Sequence, residues 1–364
     1  MRELGFDPCW DTSCTRNLAK LLTDMTAEAY TAVVAPFPAI TRTRSRLMEK
    51  RQTLIKEQKE EDRLRDVCAV LKHIQKAVEY LGPFVGNELT FYTILCRMLA
   101  YIVRQKSDEF LECQKIARNL YRTVLIPSLT IHHANPAIHH ELWAGLQYLH
   151  QSERFAIYNH WHNEEVTACA DLMYGMKYNY KYVDYYKRRL STTNIDESLR
   201  TIMEVTFKAP IYFFRQVFQR CVYFQDQIKF IIPRLKSSSS LAVDVGCYVL
   251  LEQLRTIERK DKTITLEYSQ SFKNFTLMAA TFVGLVYERV DLTMILKYMR
   301  TEVVKDDTMM LLLSQLLTMV GNVGLIDIII IILKRILYRI VWFGSRSKLV
   351  IHSLSLTMTQ PSIH

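Results

Sequence analysis

The sequence contains few of the residues that tight turns and phosphate-binding loops require. Of its 364 residues, 10 are glycine and 9 are proline. The motifs G-x-x-x-x-G-K-[ST], G-x-G-x-x-G and G-x-S-x-G do not occur, and GPFVG at 82–86 has a proline where donor N–H groups would be needed. No Ser/His/Asp or Cys/His arrangement stands out either. We therefore expect neither an enzyme nor a bound cofactor.

Patterns typical of metal sites and signal peptides are also missing. The eight cysteines include no C-x-x-C pair, and no Cys/His spacing suits a zinc site. Residues 1–14 lack the apolar core of a signal peptide, so we expect an intracellular protein with reduced thiols. Histidines cluster in HHANPAIHHE at 132–141, but adjacent histidines on a helix point in different directions. We favour surface and capping roles for these histidines over a metal site.

The charge balance is that of an ordinary globular protein with a basic excess. Hydrophobic residues make up 49% of the chain and charged residues 23%, which excludes a disordered composition. The 47 basic and 37 acidic side chains give a net charge of +10. This excess indicates a mild attraction for nucleic acid, anionic lipid or an acidic partner, and it carries no information about the fold.

Helical periodicity dominates the rest of the sequence. Apolar residues recur at i, i+3, i+4 and i+7 in four stripes, which begin at Phe91, Phe214, Val243 and Phe272. Prolines and glycines fall between the stripes, and the serines at 237–240 can cap the helix that follows them. We predict an all-α fold of about a dozen helices. An α-solenoid, a stack of antiparallel helices, is the leading architecture.

Composition divides the chain into four segments. An N-terminal segment occupies 1–40 and contains a PFP break at 36–38. Residues 41–71 are predicted to form a long charged helix or connector, because 41–66 carries nine basic and six acidic side chains. A helical-repeat domain is predicted over 72–320, and an atypical Ile-rich tail follows over 321–364.

The tail contains the apolar run LIDIIIIIL at 325–333. A bilayer span needs about 18 or more apolar residues, and Asp327 and Lys334 interrupt this run too early. We favour a buried helix or a non-native tail here, with a membrane anchor over 316–343 as an alternative.

Residues 177–236 form a basic region, with twelve Lys or Arg against five Asp or Glu and hence a net charge of +7. Within it, MKYNYKYVDYYKRRL at 176–190 interleaves tyrosines with cations. Cations can neutralise phosphates, and tyrosine rings can stack on unpaired bases. We favour a helix with its tyrosines facing the core and its cations facing solvent, where they could also meet RNA or an acidic protein. The candidate RNA or partner face consists of Lys181, Lys187, Arg188, Arg189, Arg215, Arg220 and Lys236.

Two tryptophans are predicted to be structural anchors. Trp143 lies in an apolar helical segment, and Trp161 follows a second such segment. We expect the two apolar faces to meet across a turn at 150–154.

Seven segments, taken in order, resemble the THO complex subunit 2 family, the scaffold of the transcription–export (TREX) assembly. They are YLGPF (80–84), VLIPSLTI (124–131), HHELWAGL (139–146), RFAIYNHWHNE (154–164), YYKRRL (185–190), IIPRLKSSSSLAVDVGCYVLLEQL (231–254) and LVYERVDLTMILKYMRTEV (285–303). The resemblance covers roughly Lys72 to Val320 and indicates a central fragment of the family's much longer protein. It stops at the Ile-rich segment, and the paired histidines at 132–133 and 139–140 depart from the family pattern.

The resemblance implies a nuclear, non-enzymatic, α-helical scaffold. Such a protein holds the other THO subunits and engages a DEAD-box RNA helicase through a region similar to the MIF4G helical-repeat domain. The role implied is the packaging and export of nascent mRNA. Three alternatives stay open from the residues themselves: an RNA-binding module that uses 177–236, an enzyme that uses the histidine cluster, and a membrane-anchored protein.

Overall fold

The computed structural model describes residues 12–34, 46–105, 108–131, 135–191, 194–258, 268–303 and 308–320. Throughout these ranges the regular structure is helical and contains no strand, which confirms the prediction of an all-α fold. The His132–His133 pair and the Ile-rich tail at 321–364 lie outside the described residues. Within the described ranges, no helix is both long enough and apolar enough to cross a membrane.

Thirteen helices of nine or more residues follow one another along the described part of the chain. They are α1 (Thr12–Val34), α2 (Arg46–Leu81), α3 (Leu89–Arg104), α4 (Leu111–Leu120), α5 (Pro136–Leu146), α6 (Gln151–His160), α7 (Ala170–Arg189), α8 (Ile195–Met203), α9 (Pro210–Tyr223), α10 (Ser240–Thr256), α11 (Gln270–Val286), α12 (Thr293–Val303) and α13 (Met309–Val320).

Shorter helical turns join several of these helices. The 3₁₀ turns are Gly82–Asn87, Asp108–Phe110, Glu204–Phe207, Gln225–Gln227 and Ile232–Ser237. Two π-helical turns, Tyr121–Leu125 and Trp161–Glu165, extend α4 and α6, and the short α-helical turns are Ile126–Ser128, Val166–Ala168 and Ile228–Ile231.

Side-chain caps fix the beginnings of two central helices. The Asn135 side chain accepts a hydrogen bond from the Ala137 N–H at 2.9 Å, and Pro136 occupies the first helical position, where it gives up no helical hydrogen bond. The Ser239 hydroxyl accepts from the Ala242 N–H at 3.1 Å, which confirms that a serine of the 237–240 run caps α10.

Two glycines are required by the local geometry. Gly82 follows α2 with a φ of +53°, a left-handed conformation that other residues adopt only with strain. At Gly145, an added Cβ would stand 1.9 Å from the Tyr121 hydroxyl oxygen. The close approach of α5 to the π-helical turn therefore needs a residue without a side chain.

Helix α2 runs without a break through position 71, where composition placed a segment boundary. Its C-terminal half buries an apolar stripe consisting of Leu64, Val67, Leu71, Ile74 and Val78. On the opposite side, Arg65 lies 3.9 Å from Glu61 and 3.5 Å from Asp62, so charged pairs face solvent there. The C-terminal half of α2 therefore packs one apolar side against the protein and exposes its charged side to solvent.

The described residues fall into two compact units. The first runs to Ile257 and includes Val286–Met294, and the second comprises Glu258–Leu285 and the described residues from Ile295 onward. In the first unit, α3 packs against α1 and α5, while α9 packs against α7 and α10. A solenoid arrangement of these helices stays a prediction.

The buried side chain of Gln151 joins the segment 286–294 to the rest of the first unit. Its Oε1 accepts from the Met294 N–H at 2.7 Å, and its Nε2 donates to the Asp291 carbonyl. The Gln151 side chain thereby satisfies backbone groups contributed by a segment that lies far away in sequence.

Candidate functional site

Helix α7 has a narrow buried face that contains no tyrosine. Its buried residues are Leu172, Met176, Asn179 and Val183, which recur every three to four positions. Three tyrosines of α7 face outwards, Tyr174, Tyr178 and Tyr185, so the favoured prediction that the tyrosines of 176–190 face inwards is wrong for the last two. These three rings are 76%, 63% and 49% exposed, respectively.

The exposed tyrosines share one side of α7 with exposed cations. At 3.6 residues per turn, all of these side chains fall within a sector of about 120°, opposite the buried stripe. We call this set the α7 ridge, and it consists of Tyr174, Lys177, Tyr178, Lys181, Tyr185, Arg188 and Arg189. The structure thus keeps Lys181, Arg188 and Arg189 of the predicted face on one exposed surface, and it adds aromatic rings between them.

The three other tyrosines of α7 flank the buried stripe and make packing contacts. The Tyr180 ring stacks on Tyr212 of α9, with the ring centroids 3.7 Å apart. The Tyr182 ring meets Tyr186 edge to face at 5.0 Å. Burial raises the pKa of the Tyr180 phenol above its ordinary value, as expected for a ring held between two helices.

Three cations of the predicted face, Lys187, Arg215 and Arg220, form hydrogen bonds with other groups of the protein. Lys187 lies 3.4 Å from Asp184 and contacts the Gln216 side chain on α9. Arg215 forms a two-pronged ion pair with Glu252 on α10, in which its Nε donates to Oε2 at 2.9 Å. These contacts hold α7, α9 and α10 together, which corrects the assignment of Lys187 and Arg215 to an outer face.

Arg220 of α9 also forms hydrogen bonds within the protein, close to the C-terminal end of α7. Its guanidinium donates to the Gln227 side chain at 3.0 Å and to the Leu190 carbonyl at 3.1 Å. The same guanidinium lies 3.9 Å from the centroid of the Phe224 ring, which is 47% exposed. Arg220 is therefore a connecting residue that places an exposed aromatic ring next to the C-terminal end of α7.

Lys236 belongs to a different part of the surface. It is exposed in the 3₁₀ turn Ile232–Ser237, and its carbonyl accepts from Arg289 at 2.9 Å. Among the described residues, no hydrogen bond or ion pair joins Lys236 to α7.

The two predicted anchor tryptophans differ in burial. The Trp161 side chain is fully buried in the π-helical turn after α6. Trp143 on α5 is only half-buried, and the guanidinium of Arg154 lies 5.3 Å from its ring centroid. Trp143 therefore contributes through a cation–π contact at the edge of the core, which is weaker than full burial.

A buried ion pair between α6 and α10 was not anticipated from the sequence. Arg154 donates to both carboxylate oxygens of Asp244, at 2.8 Å and 2.9 Å, and Tyr158 donates to the same carboxylate at 2.8 Å. The two charged side chains are 4% and 0% exposed. A signal was present, since Asp244 stands between two valines in an otherwise apolar stretch of α10.

His139 packs in the core, which corrects the expectation of a surface or capping role for this histidine, whereas its neighbour His140 is exposed. His139 is fully buried, with its ring nitrogens 2.7 Å from the Ser239 hydroxyl and 3.1 Å from the Phe207 carbonyl. Burial lowers the pKa of His139 to about 4, so the ring is neutral at physiological pH. Across the part of the chain that the structure describes, no group of three or more His, Cys, Asp or Glu side chains could hold a metal ion.

Taken together, the fold and the α7 ridge define a class of protein: an all-helical protein with an exposed surface of cations and aromatic rings. The family model described as the N-terminus of THO complex subunit 2 matches residues 59–200, a range that contains the ridge. This match confirms the resemblance to the THO complex subunit 2 family for residues 59–200. The matched description names the subunit's N-terminus, whereas the sequence segments had indicated its central region.

Relatives from mammals and a plant show the same similarity. THO complex subunit 2 of Rhinolophus ferrumequinum is 23% identical over 241 residues, a match covering 61% of this chain and 15% of that relative. The human protein is 23% identical over 241 residues, which cover 61% of this chain and 14% of the relative. The Arabidopsis thaliana protein is 24% identical over 228 residues, covering 56% and 12%. The chain therefore matches no more than 15% of the length of these relatives.

Proposed function

We propose that the chain is a non-enzymatic scaffold subunit of the THO complex that acts in the nucleus in transcription-coupled mRNA processing and export. In this role it holds other THO subunits and engages a DEAD-box RNA helicase. The observation that carries the proposal is the match of residues 59–200 to the THO complex subunit 2 family. The helical packing of the same residues supports it, since stacked helices offer long surfaces for protein partners.

The experiment is a pulldown of the tagged full-length chain from nuclear extract, with and without RNase, followed by mass spectrometry. We expect THO subunits and a DEAD-box helicase to be recovered in both conditions. Fluorescence imaging of the same tagged chain should show nuclear accumulation. Recovery of neither THO subunits nor a helicase would refute the scaffold proposal.

A destabilised variant provides the matched control for this pulldown. Asp244→Ala breaks the buried pair with Arg154 and changes no exposed side chain. At a temperature that unfolds the variant but not the unaltered chain, capture by the folded helices predicts that the variant recovers less of every partner. Equal recovery at that temperature would indicate contacts made by unfolded chain, and it would count against a folded scaffold.

One specific observation favours a second candidate function, a helical RNA-binding module. The exposed tyrosines of α7 lie on the same side as its exposed cations, and this combination suits single strands. Under this alternative, the partners recovered from nuclear extract would be lost on RNase treatment, because RNA alone would connect them to the chain.

A further inference from the structure

We infer that the α7 ridge, continued at its end by Phe224, is a binding site for single-stranded RNA. This inference rests on the RNA-binding alternative above, and it names both the residues and the form of the RNA. It moves the site away from Lys187, Arg215 and Arg220, which are committed to contacts inside the protein.

The aromatic rings supply the first argument. Tyr174, Tyr178 and Tyr185 lie along one side of a single helix and are roughly half to three-quarters exposed. At 1.5 Å of rise per residue, Tyr174 and Tyr178 are separated by about 6 Å along the helix axis. Exposed rings in a row offer π-faces to successive bases, and such stacking tolerates any base.

The cations supply the second argument. Lys177 and Lys181 alternate with the tyrosines, and Arg188 and Arg189 extend the row to the helix end. None of these four forms an ion pair with an acidic side chain in the described part of the chain, whereas the nearby Lys187 is paired with Asp184. Their charge is thus available to phosphates, and each phosphate that they neutralise adds to the salt dependence of binding.

The end of the ridge is built from two cation–aromatic pairs. Arg189 lies 3.7 Å from the centroid of the Tyr185 ring, and Arg220 lies 3.9 Å from that of Phe224. The hydrogen bond from Arg220 to the Leu190 carbonyl connects the second pair to the end of α7. Guanidinium groups stacked on rings are a recurring feature of single-strand binding.

Other occupants fit this surface less well. An acidic protein would use the cations but would have no need for three exposed rings between them. A duplex would offer phosphates to the cations while keeping its bases stacked inside, where the tyrosines could not reach them. Single-stranded RNA is the occupant that uses both kinds of side chain on the ridge.

The test measures binding of a fluorescein-labelled oligouridine to the purified full-length chain by anisotropy at several salt concentrations. Alanine at Tyr174, Tyr178 and Tyr185 should weaken binding about five-fold to one-hundred-fold for each ring that stacks, with the salt slope unchanged. Lys177→Gln with Lys181→Gln should weaken binding and reduce the salt slope by about 0.7 for each phosphate that is no longer neutralised.

Matched variants separate stacking from other effects. Phenylalanine at the three tyrosine positions keeps the π-faces and should retain affinity. Tyr148→Ala removes a ring of similar exposure (48%) outside the ridge, and it should also bind like the unaltered chain. Circular dichroism checks that every variant is folded.

Three outcomes would overturn the inference: no binding of oligouridine by the unaltered chain, unchanged binding by the triple alanine variant, or equal loss with Tyr148→Ala. Loss of captured THO subunits by the triple alanine variant, with oligouridine affinity intact, would assign the ridge to a protein partner instead. RNase-resistant capture of THO subunits by a chain that binds no RNA would leave the scaffold proposal standing and remove only this inference. Binding of oligouridine by a chain that captures no THO subunits would remove only the scaffold proposal.

Discussion

Removal of the Asp244 carboxylate is the most informative perturbation of the core. Asp244 is fully buried and accepts two hydrogen bonds from Arg154 and one from Tyr158. In Asp244→Ala, the Arg154 guanidinium loses its counter-charge while it stays buried. Its remaining contacts are the Leu149 carbonyl at 2.7 Å and the half-buried ring of Trp143.

The magnitude follows from the cost of leaving one buried charge unpaired. Breaking a buried ion pair by removing one partner costs about 3–5 kcal/mol. A folded domain is typically stable by only about 5–15 kcal/mol, so this loss is a large fraction of the total. At about 2–4 °C per kcal/mol for domains of 150–250 residues, the Tm should fall by roughly 6 °C or more.

The assay is thermal and urea unfolding followed by circular dichroism, with a double variant as the decisive comparison. Arg154→Met with Asp244→Leu replaces the pair by apolar side chains and should recover most of the lost stability, because such replacements are often neutral. As a surface control, Asp196→Ala removes an exposed partner of Arg234 and should leave the Tm almost unchanged. The reasoning is refuted if Asp244→Ala unfolds like the unaltered chain, or if the double variant is no more stable than Asp244→Ala.

The remaining predictions concern two tryptophans, one histidine and the tail. Trp161→Ala should cost about 3–5 kcal/mol of unfolding free energy, and Trp143→Ala less than half as much, because only Trp161 is fully buried. The pKa of His139 is lowered to about 4 from the ordinary 6.5, so its contribution to stability is complete above pH 6.5 and is lost as the pH falls towards 4. His139→Gln should therefore flatten the dependence of the Tm on pH between 7 and 5, an effect worth at most ~2 kcal/mol over that range. Truncation after Val320 should leave the helical circular dichroism spectrum and partner capture intact, because the family resemblance stops there.

Each of these predictions has a contradicting result. Equal losses for the two tryptophan variants would show that half-burial of Trp143 understates its role. A steep pH dependence that persists unchanged in His139→Gln would assign the acid sensitivity to other groups, such as His162, whose pKa is lowered to about 4 mainly by burial. Unfolding of the chain truncated after Val320 would show that residues 321–364 complete the fold.

The helices and several of their boundaries could be predicted because they depend on local information. The apolar stripes repeat with the helical period, and the caps at Asn135 and Ser239 precede their helices directly in sequence. The extent of α2 was harder to predict. Its charge density predicted a long charged helix or connector that ends at 71, yet the aliphatic stripe from Leu64 onward packs its second half into the core.

The orientation of α7 could not be read from the tyrosine-rich stretch alone. Between 177 and 189, Val183 is the only aliphatic residue, so the stretch by itself does not define which side is buried. The buried side becomes clear once Leu172 and Met176 are included, since they lie eleven and seven residues before Val183 on the same helical face. The tyrosines were then free to occupy the outer side, where their rings stay exposed.

The sequence also could not show which cations bind other groups of the protein and which stay exposed, and the reason is a different one. Arg215 pairs with Glu252, and Arg220 bonds to the Leu190 carbonyl, so each finds its partner some thirty or more residues away. Such pairings depend on how helices are placed in space, and composition records only the total charge. The internal cations nevertheless matter for the site, since they hold α9 and α10 in position behind α7.

The position of the α7 ridge determines how the two proposed functions can be told apart. The α7 ridge lies within residues 59–200, the segment that matches the THO complex subunit 2 family. A scaffold role and an RNA-binding role would therefore draw on the same segment, and deleting that segment would abolish both. Because Tyr174, Tyr178 and Tyr185 contribute no side chain to the buried stripe of α7, substitutions there change the surface while leaving the helical packing in place. If the ridge binds RNA, its variants should lose that binding in a chain that still has the fold on which subunit contacts would depend.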